Sequence, residues 1–442
     1  MGKRISSSMP KYTIAVFREI NSRCHYLLVM AIFMSVSQLH AEEVFDWQYC
    51  VKYARAKNPD LVSAREKILQ ADAQKRIVGS ALWPQLNSNA TPWETSASGL
   101  KANANDTYQY GMTASQLLFD GFKTINSTRS EGEKIRAAAY NYDVTSSNVR
   151  LNLRTAYIEL MRAQEFILIA GEIRDIRKQD MELINMRYKA GREHRGALMT
   201  ADANYAQAEK DVVQAYRNIE LAQRRLTKAL GESKLIRMKV AGGFLVKDPV
   251  HERPAFEPMA ESIPFLEEIM ARKEAARYSL KAAKAGFFPQ VFANASGSET
   301  GVHPMPDVSS WMAGLSVSWP IFQGGLRIAD VDKAKAALAQ LRADEKSGRD
   351  GVILTLEDTW TKLQNAMENE KIQEMFLEAN AERSKISKAE YSIGLVSFDN
   401  WIIIEDNLVR SKQAVLDAKA AVLIAEANWI QAKGGTLETE GK

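Results

Sequence analysis

Gly111-Met112-Thr113-Ala114-Ser115-Gln116-Leu117-Leu118-Phe119-Asp120-Gly121 and Gly314-Leu315-Ser316-Val317-Ser318-Trp319-Pro320-Ile321-Phe322-Gln323-Gly324 read as one passage written twice, 203 residues apart. The same offset carries Tyr188 and Gly191 onto Tyr391 and Gly394, and Ala229 and Gly231 onto Ala432 and Gly434. Upstream, Trp83-Pro84-Gln85-Leu86 matches Phe288-Pro289-Gln290-Val291 at an offset of 205, so a two-residue difference falls in the intervening loop. Self-similarity over such a period means a repeated structural unit. The chain is two copies of one unit.

Each copy reads as helix, two strands, a very long helix, a turn and a further helix. In the first copy, residues 60–82 are helix formers, Pro84 ends them, and the stretch to Phe119 is rich in Asn, Ser, Thr, Tyr and Gly. Residues 123–188 hold no proline and only Gly132 and Gly171; Gly191 then breaks the pattern before it resumes over 198–229. The second copy repeats this over 326–391 and 398–433. Between them, Pro249, Pro254, Pro258 and Pro264 mark a linker. The expected division is a first repeat over 42–248, a Pro-rich linker over 249–264 and a second repeat over 265–442.

The strands point to a membrane. Trp311, Ala313, Leu315, Val317, Trp319 and Ile321 form one face, and Ser310, Met312, Gly314, Ser316 and Ser318 the other. Period-two alternation with a tryptophan near each end fits lipid on one side and water on the other. The eight steps from Trp311 to Trp319 cover roughly 19 Å of depth in a strand tilted by about 45°. The first-copy face, Tyr108, Tyr110, Met112, Ala114, Gln116 and Leu118, agrees except at Gln116. Periodicity alone also fits a half-buried strand of a soluble sandwich; the helices on either side favour the membrane.

Those helices are long. The 66 residues of 123–188 span roughly 100 Å at about 1.5 Å each. Val149, Leu153, Ala156, Leu160, Ala163, Ile167 and Ala170 alternate four and three apart, and Val352, Leu356, Thr359, Leu363 and Ala366 repeat the spacing. This is a heptad seam with many small residues, suited to close antiparallel packing. The shorter helices are about half that length, so two of them stacked end to end match one long helix.

The 442-residue chain carries 58 Lys and Arg against 54 Asp and Glu. Lys3, Arg4, Lys11, Arg18 and Arg23 precede residue 41 against one acid, Glu19, so the remainder is balanced and no nucleic-acid partner is expected. The apolar run Tyr26 to Val36, followed by Ala41 and Glu42-Glu43, reads as a secretory signal peptide over residues 1–41. Its removal takes Cys24 and leaves Cys50 alone, so no intrachain disulfide is expected. His194, His251 and His303 are scattered, and no zinc spacing, phosphate-binding loop or dinucleotide fingerprint occurs. No catalytic, cofactor or metal site is expected.

Taken together, the chain resembles the TolC-like outer-membrane efflux protein family. The resemblance is carried by Leu118-Phe119-Asp120-Gly121 and Ile321-Phe322-Gln323-Gly324-Gly325, by Asn58-Pro59 after a helix containing Val51-Lys52-Tyr53-Ala54, by Tyr188 to Gly191 and Tyr391 to Gly394, and by the duplication. It implies a mixed α and β membrane protein: a homotrimer whose four strands per chain build a twelve-stranded β-barrel, continued by a long periplasmic α-helical coiled-coil barrel. It also implies an exit duct in the outer membrane of a Gram-negative bacterium, serving tripartite efflux or type I secretion. The implied partners are a periplasmic adaptor (membrane fusion) protein, an inner-membrane transporter and outer-membrane lipid. A non-channel coiled coil of the envelope is the competing reading. Oligomerisation also follows from the residues themselves, because four strands cannot close a barrel and lipid tolerates no open edge.

Family members often ring the periplasmic aperture with acids just after the second turn. Counting from Tyr391, those positions hold Asn400 and Ile403 here, with Asp399, Glu405 and Asp406 nearby as candidate aperture acids. The first-copy counterpart, Arg192-Glu193-His194-Arg195, carries no matching acid, and Asp399 equally fits an ordinary helix start. Gly191 and Gly394 are where the chain can reverse at the far end. Ile393-Gly394-Leu395 resembles the short turn with which family members meet the adaptor, which makes Gly191, Ile393, Gly394 and Leu395 candidate docking turns. Lipid contact is expected at Trp311, Leu315, Val317 and Trp319.

Overall fold

The computed structural model describes residues 43–95, 105–244 and 252–440. The signal peptide expected over 1–41 and His251 lie outside them. Strand β1 (Glu43–Phe45) leads into α1 (Trp47–Lys57) and α2 (Pro59–Gly79), which a 3-10 turn at Ser80–Leu82 closes before the expected stop at Pro84. Strands β2 (Gln85–Thr95) and β3 (Asn105–Phe119) follow, then α3 (Lys123–Lys189) and α4 (Arg195–Leu230). After β4 (Met238–Val240), which pairs in parallel with β1, the order repeats. It runs α5 (Phe256–Ala260), α6 (Pro264–Ala285), β5 (Gln290–Gly301), β6 (Val308–Ser318), α7 (Leu326–Ile393) and α8 (Phe398–Ala432).

The four long strands form one antiparallel sheet in the order β2-β3-β5-β6. The duplication is written into its register. The first hairpin pairs Gln85 with Ser115 and runs to Thr95 with Asn105; the second pairs Gln290 with Ser318 and runs to Thr300 with Val308. Adding 205 to the β2 residue and 203 to the β3 residue turns each pair of the first ladder into a pair of the second.

Helices α3 and α7, of 67 and 68 residues, are rods of about 100 Å. Near the strands α3 packs on α2 and α6, where the Ser130 hydroxyl donates to the Ala275 carbonyl at 2.8 Å. Farther along it packs on α4 and α8, bridged by Arg225 to Glu159 at 2.7 Å and Arg162 to Asp417 at 2.6 Å. The expected seam is inside, with Val149, Leu153, Ala156, Leu160 and Ala170 buried in the first copy and Leu356 and Leu363 in the second.

The end-to-end stacking is visible as a joint in each copy. Pro59 and Pro264 open α2 and α6, a position where a missing N–H costs nothing. Each meets the end of the helix returning from the turn, at Gly231 (φ 91°) and Gly434 (φ 78°). At the first joint Lys57 pairs with Glu232 at 2.6 Å. The largest apolar core surrounds it, with Val51, Leu153, Leu160, Leu226 and Leu230 packed about Cys50. Within the stretch expected as a Pro-rich linker over 249–264, Phe256 is buried edge-on to Trp360 and Trp429, so apolar burial holds a helical turn there. Among the described residues no helix is long and apolar enough to cross a membrane.

Candidate functional site

The sheet at one end of the rod has two chemically distinct faces. Opposite residues in an antiparallel ladder share a face, so the register places Ala90, Met112, Ala114, Ala293, Ala295, Leu315 and Val317 together. On the other face lie Asn89, Thr113, Ser115, Asn294, Ser296 and Ser316. There the Ser115 hydroxyl donates to Asn294 at 2.9 Å, and the Asn294 amide donates to Ser316 at 2.8 Å. Trp311, Leu315 and Val317 are exposed on the apolar face.

Two sequence expectations are refined at the inner rim. Gln116, the polar exception, points its amide at the Leu82 and Leu117 carbonyls at 2.9 and 2.8 Å, so backbone acceptors satisfy it. Trp319 lies beyond the end of β6, because Pro320 has no N–H for a ladder and this side of β6 has no partner in the chain. Its indole donates to the Phe287 carbonyl at 3.1 Å instead.

At the other end the two turns close alike. The Arg192 N–H donates to the Arg187 carbonyl at 2.9 Å and the Leu395 N–H to the Glu390 carbonyl at 2.9 Å, with Gly191 (φ 68°) and Gly394 (φ 82°) left-handed. These are the capping bonds of a helix ending in glycine. The caps that restart the chain differ: His194 Nδ1 accepts from the Ala197 N–H at 3.1 Å, whereas Ser397 takes the equivalent place in the second copy. Ile393 and Leu395 are left largely exposed.

Beneath the turns a stack ties the tips together. The Tyr391 ring lies on Trp401 with centroids 4.4 Å apart, and the Arg187 guanidinium sits 4.5 Å from the Tyr391 centroid on the same ring. Arg187 donates to the Tyr391 carbonyl at 2.7 Å, and the Tyr391 hydroxyl donates to Glu193 at 2.8 Å. Burial, and then the Glu193 carboxylate, hold the phenol proton well above its usual range.

The three candidate aperture acids sit in different surroundings within the chain. Asp399 is exposed in the first turn of α8. Glu405 is buried against α7, where it accepts from the Ser384 hydroxyl at 2.6 Å, and Asp406 pairs with Arg177 of α3. Helical phase explains this, since adjacent residues lie about 100° apart. Sequence reading missed Arg177 and Asp180, both buried, with Asp180 accepting from Lys388 at 3.2 Å. Burial pushes the Asp180 carboxyl up, against the pull of the Lys388 ammonium. Among the described residues no group of three or more His, Cys, Asp or Glu could hold a metal ion.

A family model described as "Outer membrane efflux protein" matches residues 50–232 and 260–435. The outer membrane efflux protein BepC of Brucella suis is 22% identical over 352 residues, covering 78% of this chain and 75% of the relative. The solved structure of CusC is 20% identical with a TM-score of 0.79, over 87% of this chain and 91% of that one. The CmeC outer membrane channel of Campylobacter jejuni is 17% identical with a TM-score of 0.77, over 89% and 86% of the two chains.

Proposed function

The chain belongs to the outer membrane efflux protein family, and from that premise we propose that three copies form the exit duct of a tripartite efflux or type I secretion assembly. One observation carries the reading. The register keeps a mainly apolar, lipid-compatible face and a mainly polar, water-compatible face in step across four strands, while β2 and β6 remain open edges. In lipid an unpaired edge is untenable, so each edge meets another copy. Three chains supply twelve strands, more than the eight that side chains fill, and the polar face then lines a water-filled lumen. The helices carry the conduit about 100 Å into the periplasm.

The duct is passive, and a periplasmic adaptor and an inner-membrane transporter deliver its cargo. The repeats 42–248 and 265–442, joined through 249–264, act as two similar staves of the wall. At the mouth, the exposed Ile393 and Leu395 beside Gly394 offer an apolar tip to the adaptor, with Gly191 at the charged first-copy tip. Asp399 is the one of the three candidate aperture acids that is exposed at the start of α8. Trp311, Leu315, Val317 and Trp319 meet lipid.

Conductance of the purified protein in a planar bilayer tests this. The expected result is stepwise ion current, enlarged when Arg187→Ala and Tyr391→Phe untie the tips. An inserted oligomer that stays silent in both forms would overturn it.

A further inference from the structure

Both hairpins obey one transformation, +205 on the first strand and +203 on the second. The ladder between the repeats, β3 with β5, has no image within the chain. Carried through the same transformation, it would join β6 (β3 plus 203) to a β2 strand (β5 minus 205). The chain's own β2 is at the far edge of the sheet, so that β2 belongs to a second copy.

Resting on the trimeric-duct reading above, we propose that the seam between subunits takes the register of the β3–β5 ladder. Ala114 opposite Ala295 becomes Val317 opposite Ala90 of the second copy, and Thr113 opposite Ser296 becomes Ser316 opposite Thr91. The irregularity between Leu117 and Phe119 reappears at Ile321 and brings Phe322 opposite Leu86.

Three further observations agree. First, this register keeps the faces: Leu315 and Val317 fall beside Pro92 and Ala90 on the apolar side, and Ser316 and Ser318 beside Thr91 and Asn89 on the polar side. A slip of one residue would mix them. Second, β3 runs to Phe119, whose counterpart is Phe322, yet β6 stops at Ser318. The missing tail is bare, with Ile321 89% and Phe322 88% exposed, whereas its first-copy equivalent is held by β5. Apart from the N–H that Pro320 cannot offer, what the tail lacks is a neighbouring strand. Third, the packing of α3 on α6 becomes packing of α7 on the second copy's α2. That helix carries an uncovered stripe of Val62, Leu69 and Ile77 at helical spacing.

Disulfide trapping of the full chain in outer-membrane vesicles tests the register. Val317→Cys with Ala90→Cys and Ser316→Cys with Thr91→Cys are the matched pairs. Adjacent pairs alternate between wide and close spacing, so one of the two has Cβ atoms within disulfide reach. Val317→Cys with Ser88→Cys and Val317→Cys with Pro92→Cys are the two-residue slips, whose diagonal partners lie about 7–8 Å apart. Native mass measurement before oxidation checks that each variant still assembles. Covalent trimers from a matched pair, with the slipped pairs left uncrosslinked, are expected. Trimers that crosslink only in a slipped pair, or in none, overturn the register and leave the duct reading standing. A monomer for the unsubstituted chain overturns both.

Discussion

The Asn58 side-chain amide donates to the Ala229 carbonyl at 3.0 Å while its Oδ1 accepts from the Asp60 N–H at 2.9 Å, so one side chain caps α2 and pins the end of α4 to it. Asn58→Ala removes both bonds and should destabilise the fold by about 1–3 kcal/mol. Asn58→Asp keeps the acceptor that caps α2 but turns a buried carboxylate oxygen on the Ala229 carbonyl, so it should not restore the joint. Thermal unfolding of the detergent-solubilised protein reads the difference; equal midpoints for wild type and Asn58→Ala would show that the joint holds without this residue.

Glycines at the joint and at the tip should respond differently to a methyl group. Gly231→Ala places a Cβ 2.6 Å from the Lys57 carbonyl oxygen, whereas Gly191→Ala meets nothing within 4 Å. Both incur the left-handed penalty of roughly 1–2 kcal/mol, and only the first adds a backbone clash. The tip variant should fold at near-normal yield and the joint variant should not. Comparable yields from the two would remove the joint's claim to close packing.

Lipid facing is tested by charge. Ala313→Arg, midway along β6 on the apolar face, should cost about 2–4 kcal/mol, and Ser316→Arg on the polar face much less. Folding titrations into lipid vesicles measure both, and equal losses would contradict the facing.

The helix limits, the strand faces and the turning glycines were legible in the sequence because each depends on local chemistry or on a period that two copies repeat. The order β2-β3-β5-β6 was not, since pairing between repeats leaves no mark on either strand alone. Glu405 illustrates the limit at the site: its burial depends on Ser384, 21 residues away on another helix. Arg177 did leave a signal, and Asp180 did not. Continuing the alternation of fours and threes past Ala170 gives Arg174, Arg177, Met181 and Ile184, of which Arg177 and Ile184 are buried, whereas Asp180 lies one place off that register. A charge at a seam position announces a cross-helix partner without naming it.

Leu395→Asp should leave assembly and membrane insertion intact while abolishing crosslinking to the adaptor and transport. Leu395 is exposed and its N–H, not its side chain, closes the turn, so the fold has little to lose there. Crosslinking that survives the change, or assembly that fails with it, would place the docking surface elsewhere.

Asp180 gives a pH signature. Burial raises its folded-state pKa above the usual 3.8, so the folded chain binds this proton more tightly than the unfolded one. Its contribution to stability is therefore present below the usual value and is lost as pH rises through the folded one. Asp180→Asn should gain on wild type as pH climbs through that window and then plateau, because the half-exposed Lys388 ammonium can be hydrated instead. Melting temperatures across a pH series measure it; a difference that narrows with rising pH would reverse the assignment.

The pairing of β3 with β5 joins Phe119 to Val291 and Tyr108 to Gly301, which fixes an order of events during biosynthesis. The first hairpin is made long before its neighbour. At about 5–20 residues per second, the wait is on the order of ten to forty seconds. Through it, a long strand with one apolar face has a free edge, the geometry that recruits other chains into aggregates. Closing so wide a loop also slows the search for the native contact. The fused repeat therefore delivers its two matched halves in a fixed ratio, and in exchange leaves the edge of β3 uncovered until the second half of the chain has been made.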